Sequence, residues 1–230
     1  MTADSVRTSV MAALERETAV NVHRYPIEVN HDEHVRLSGV VENIIAKRRA
    51  VRIARTVSPG HQVLDHLRVE VGRQRQDDEL RQAVLHTLLA ESAFAEIRLV
   101  EGDTAPDGAT QWIGLRAADG VVSLTGDVGS LSHRRLAEVL CWWTPGCADV
   151  DNRLRVKPPE RDSDDEIADV IRMVLEMESA VDATQIGITV RDRLVTLRGE
   201  VRTEAARQIA EYDCWYVAGV HDVRNELTVE

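Results

Sequence analysis

The chain has 230 residues, of which 43% are hydrophobic, 29% charged and only 3% aromatic, and its formal net charge is −11. That length holds one or two ordinary domains, the cores must be aliphatic, and the longest apolar runs are too short to span a bilayer. Three cysteines, Cys141, Cys147 and Cys214, are too few and odd in number for a disulfide framework.

The chain opens Met1-Thr2-Ala3-Asp4-Ser5-Val6-Arg7. A signal peptide would show a basic region and then an apolar one, so the expectation is a cytoplasmic protein, or a periplasmic one if the sequence is a processed mature form. Charge falls along the chain, from +1 over residues 1–70 to −9 over residues 160–230.

Taken in chain order, the same set of anchors passes three times. A helical start carries Val6 and, eleven residues on, Glu17. Its counterparts are Leu80 with Glu91 and Ile167 with Glu178. A strand with apolar residues at alternate positions and glycine in one register follows: Val35–Val41 around Gly39, Val122–Val128 around Gly126, and Val195–Val201 around Gly199. A helix follows each strand. The third of these has Thr203 as a plausible N-cap, runs to about Tyr216 and is ended by Gly219 in a left-handed conformation. Gly60, Gly146 and Gly219 then lead into closing strands, Val63-x-Asp65-x-Leu67-x-Val69, Val150-x-Asn152-x-Leu154-x-Val156 and Val223-x-Asn225-x-Leu227-x-Val229. In the third copy Ile186, Ile188 and Val190 alternate, and Arg191-Asp192-Arg193 turns them into the next strand, a hairpin.

Each copy therefore reads helix-strand-strand-helix-strand. The fold class is α+β: three tandem small modules, each with two helices on one face of a three-stranded mixed sheet. The expected boundaries are 1–70, 76–157 and 162–230. Residues 71–76 and 157–162 are linkers, and an insertion in module two, about 100–112, reads as an exposed loop.

The stretch Val195-Thr196-Leu197-Arg198-Gly199-Glu200-Val201 and the closing Gly219-Val220-His221-Asp222-Val223-Arg224-Asn225-Glu226-Leu227-Thr228-Val229 resemble the BON domain, a family named for bacterial osmotically inducible and nodulation proteins. The likeness extends over nearly the whole chain and weakens in module one, where Asp65 stands for the usual asparagine. It implies the same five-element fold. It also implies a non-enzymatic binding role at phospholipid surfaces or in envelope and osmotic-stress contexts, for which a cytoplasmic protein-protein or self-associating module is the alternative.

Other residues invite specific chemistry. Gly39, Gly126 and Gly199 lie mid-strand on the apolar face, where a helix packing close to bare backbone is expected. Asp65, Asn152 and Asn225 alternate inward and should clamp nearby backbone. Cys141-Trp142-Trp143 and Cys214-Trp215-Tyr216 share a register; the cysteines read as small buried hydrophobes, and one aromatic of each pair can serve an interface between modules, so Trp142, Trp143, Trp215 and Tyr216 are the candidates. Cys147, after a Pro-Gly turn, should be the more reactive thiol. Cysteine and histidine spacings do not suit a metal, and there is no HExxH, GxSxG, P-loop or GxGxxG, so neither cofactor nor catalysis is expected. Lys47, Arg48, Arg49, Arg52 and Arg55 on the second helix of module one form a candidate anion or lipid patch. Its target is phosphate head groups or the acidic third module of another copy; nucleic acid is disfavoured, because the chain is acidic and no aromatic interleaves the arginines.

Overall fold

The computed structural model describes residues 3–230, which form two compact units divided after Glu70.

The first unit is module one: α1 (Ala3–Leu14), β1 (Ile27–His31), β2 (Val35–Val41), α2 (Ile44–Val57) and β3 (Val63–Val69). The sheet order is β1-β2-β3, with β1 antiparallel and β3 parallel to β2. Val6, Val10 and Leu14 of α1 and Ala46, Ala50, Val51 and Ala54 of α2 bury against Ile27, Val29, Val35, Leu37 and Leu67 of the sheet. The period of 3.6 on the helices and of 2 on the strands thus meet in one aliphatic core. The α2 helix starts where Asn43 Oδ1 accepts the Ala46 amide.

The second unit holds modules two and three. Module two is α3 (Asp77–Ala90), β4 (Arg98–Glu101), β5 (Trp112–Ala118), β6 (Val121–Val128), α4 (Leu131–Trp143) and β7 (Asp149–Val156). Module three is α5 (Asp164–Met177), β8 (Ile186–Arg191), β9 (Leu194–Val201), α6 (Glu204–Tyr216) and β10 (Asp222–Val229). Their sheets run β4-β5-β6-β7 and β10-β9-β8. Both hairpins turn through two residues with positive φ, Asp119-Gly120 and Asp192-Arg193, the backbone form that suits strand twist. Each turn is tied to the start of its own first helix: Asp77 Oδ1 accepts the Gly120 amide, and the Asp164 carboxylate accepts those of Asp192 and Arg193. Ser130, Ser163 and Thr203 cap α4, α5 and α6 through side-chain oxygens.

No sheet runs from one module into another, and modules two and three form one compact unit. Two differences from the sequence reading stand out. The residue 157–162 joint is held firmly: Asp162 takes ion pairs from Arg135 and Arg193, and Glu160 accepts the Leu131 amide. The insertion is not all loop either, because Arg98–Glu101 adds a fourth strand, parallel to β5, ahead of the exposed turn at 102–110.

The glycine explanation also changes. Gly39, Gly126 and Gly199 have φ of +129°, +128° and +131°. What approaches each is backbone at the entry to the neighbouring antiparallel strand, the carbonyl of Pro26, Trp112 or Gln185, and not a packed α-helix. A Cβ on Gly199 would fall on the Gln185 carbonyl oxygen, and one on Gly39 would lie 2.6 Å from that of Pro26. Glycine is needed here for its left-handed backbone and for a close strand crossing. Gly60, Gly146 and Gly219 take positive φ, but none of them ends its helix: α2, α4 and α6 stop at Ser58, Thr144 and Val217, and each glycine is the third residue of the β-turn that follows, closed by the His61, Cys147 and Val220 amides.

Candidate functional site

In modules two and three the inward asparagine clamps helix to strand. Asn152 Nδ2 donates to the Arg134 carbonyl at 2.9 Å and to Glu138 Oε2 at 3.1 Å, while its Oδ1 accepts the Leu154 amide. Asn225 repeats this with Arg207, Glu211 and Leu227. In module one Asp65 Oδ1 also accepts a strand amide, that of Leu67, but its helix partner is the Lys47 ammonium at 2.9 Å. Lys47 lies 18 residues before Asp65, as Arg134 and Arg207 do before their asparagines, and Val51 stands where Glu138 and Glu211 stand. One rearrangement has thus turned the acceptor on the helix into a donor.

This takes Lys47 out of the basic patch: it is 3% exposed and points inward. Arg49 faces Glu17 at 3.7 Å. Arg48 and Arg52 are half-buried on α2, and Arg55 is exposed at its last turn, where a cation also suits the helix C-terminus. Arg48, Arg52 and Arg55 keep the i, i+4, i+7 spacing on a stripe that flanks the buried one of Ile44, Val51 and Ala54.

The aromatic pairs meet where modules two and three join. Trp142 stacks on Tyr216 with ring centroids 6.4 Å apart, and Trp143 Nε1 donates to Asp213 Oδ1 at 3.2 Å. Trp215 is buried, at 1% exposure, together with the fully buried Cys214 beside it. Trp142, Trp143, Tyr212 and Tyr216 line an open cleft of about 620 Å³ with Glu178 and Asp213. Asp213 and Tyr212 escaped the sequence reading; their only signal was their place in the aromatic register of α6. Burial pushes the Asp213 carboxyl up to about 7, nearby Glu178 adds to this, and the Trp143 hydrogen bond opposes it. Arg135, also missed, lies almost wholly inside and binds Ala218 O and Asp162 at once. Burial raises Asp162, yet Arg135 and Arg193 outweigh it and hold its carboxyl below the usual range.

Cys147 is buried like the other two cysteines, contrary to its expected reactivity. Burial, then the charge of Asp149, push its thiol up to about 12. Among the described residues no group of three histidine, cysteine or acidic side chains can hold a metal ion, and no helix is long and apolar enough to cross a membrane.

Three small α+β modules built on one plan, with inward polar clamps and an aromatic junction between the second and third, make a tandem-repeat protein. The BON domain family model matches residues 2–71, 113–158 and 163–230, and the chain belongs to that family. No curated protein matches it. Among solved structures it is similar to the C-terminal domain of CdsD, a structural protein of the type III secretion system of Chlamydia trachomatis, at 13% identity and a TM-score of 0.26 over 100% of both chains. A second CdsD structure gives 13% identity and the same TM-score of 0.26, over 96% of this chain and 92% of that one. Likenesses that loose say nothing about a shared role.

Proposed function

We propose that this chain is a non-catalytic binding protein that meets anionic phospholipid surfaces through the Arg48, Arg52 and Arg55 face of α2. The observation that carries this reading is the last two turns of α2: the Arg52 and Arg55 guanidiniums make no ion pair among the described residues, with Arg55 exposed, on a module of charge +1 in a chain of −11. Each basic residue near an anionic surface contributes about 1 kcal/mol, so three give reversible, salt-sensitive attachment rather than anchoring. On this reading the protein works at the cytoplasmic leaflet, in the envelope and stress settings typical of the family. Flotation with vesicles containing phosphatidylglycerol, against vesicles of phosphatidylcholine alone, tests it. Binding should need the anionic lipid, fade with salt and be lost in Arg48→Glu/Arg52→Glu/Arg55→Glu; equal flotation of both proteins would overturn it.

The charge gradient favours a second reading, in which the same arginines meet the −9 region of another copy. Sedimentation over a concentration range, without lipid, would then show association that the triple variant lacks.

A further inference from the structure

Module two carries a strand that the other modules lack. β4 lies parallel to β5, with Leu99 opposite Ile113 and Glu101 opposite Leu115. The end of β4 is tied to α3: the Glu101 carboxylate pairs with the Arg81 guanidinium and accepts from Gln82 Nε2 at 3.3 Å. β4 therefore occupies the angle between the first helix of its module and the free edge of its hairpin.

In module one that angle is open. β1 is the corresponding edge strand, since Ile27 faces Gly39 as Ile113 faces Gly126. A cavity of about 480 Å³ lies there, lined by Arg7, Thr8, Met11, Ala12 and Glu15 of α1 and by Ile27–Asn30 of β1. With Val6 matching Leu80, Arg7 stands where Arg81 stands and Thr8 where Gln82 stands. Arg7 is largely exposed, and its ion pair to Asp4 is a long one, at 3.5 Å. Module three offers no such match: Ala168 and Asp169 hold the two positions, and the acid would repel a carboxylate.

We propose that the α1–β1 angle of module one receives an extended peptide segment of a partner protein, added parallel to β1 as β4 is added to β5. The segment places an apolar residue opposite Ile27, as Leu99 lies opposite Ile113, and a carboxylate two residues later on Arg7. Main-chain hydrogen bonds to the open edge supply affinity, and the apolar and acidic side chains supply selection. The site is separate from the arginine face of α2 and does not depend on lipid binding.

The probe is a labelled peptide with the sequence of residues 96–103, titrated onto the full chain by fluorescence anisotropy, with amide hydrogen exchange to place it. The expected result is saturable binding with new protection across residues 27–31. Arg7→Glu, an exposed change checked for fold by its thermal melt, should weaken binding about three- to tenfold, and the same peptide with Glu101→Arg should recover affinity on that variant. No saturation up to about 1 mM, protection at residues 186–191 instead, or indifference to Arg7→Glu would each overturn the proposal. So would a dimer that forms without peptide and is lost in Arg7→Glu, which would make the occupant a second copy of this chain.

Discussion

Lys47 Nζ stands 2.9 Å from Asp65 Oδ1, with the lysine side chain only 4% exposed, where the other two modules place an asparagine against a glutamate. A buried ammonium is tolerated only while its acceptor is present. Asp65→Asn should therefore destabilise residues 1–70 by about 1–3 kcal/mol, measured by urea denaturation or by hydrogen exchange of the β2 and β3 amides. Adding Val51→Glu and Lys47→Arg to that change installs the polarity used elsewhere in the chain and should restore most of the loss. A triple variant as unstable as the single one would mean that the two clamps are not interchangeable.

Gly199 and Gly60 separate two costs of replacing glycine. Both have positive φ, but a Cβ at Gly60 would meet nothing within 4 Å, whereas at Gly199 it would strike the Gln185 carbonyl. Gly60→Ala should cost about 1 kcal/mol through backbone strain alone. Gly199→Ala should cost clearly more, about 2–4 kcal/mol, because strand β9 must also move away from the start of β8. Equal losses in thermal melts would show that the close crossing relaxes freely.

The three thiols should all resist alkylation in the native protein. Cys141 and Cys214 are fully buried, burial raises both well above the ordinary thiol value, and Cys147 is raised to about 12. Thiolate is the reactive form, so labelling should be slow and should track opening of residues 71–230. A fast-reacting Cys147 would contradict its burial.

Asp213 should make stability fall as pH rises. Its folded value of about 7 lies above that of an unfolded aspartate, so the folded state holds the proton longer. The stabilisation is fully present below about pH 4 and is lost as pH climbs through about 7. Asp213→Asn keeps an oxygen for the Trp143 N–H and cannot ionise. It should leave stability near pH 4 little changed and raise it at pH 8 by on the order of 2–4 kcal/mol, with a flatter profile between. Parallel profiles for the two proteins would refute the assignment.

The repeated anchors made the modules, their order of elements and the inward clamp residues legible, because periodicity and register are local properties of a sequence. Lys47 was misplaced because it sits in a run with Arg48 and Arg49, and a run conceals which member turns inward. The exchange of Asn for Asp at 65, together with Val51 in place of glutamate, was the available sign. The Asp213–Trp143 and Asp162–Arg135 contacts were not legible, since they join residues 70 and 27 positions apart across a junction between modules. β4 was missed for a different reason. Four residues at a sheet edge, two of them charged, carry too little pattern to stand out from a loop.

The β4 strand also bears on how a chain of like modules avoids tangling. Tandem copies keep one another at high local concentration while folding, and similar open edges at close quarters invite strands to pair with the wrong module. The middle module is next to both of the others along the chain, and it is the one whose hairpin edge is already closed, by its own residues 98–101. A chain lacking those residues would present three like edges during refolding and should yield more misassembled, soluble oligomer, even if each finished module were as stable as before.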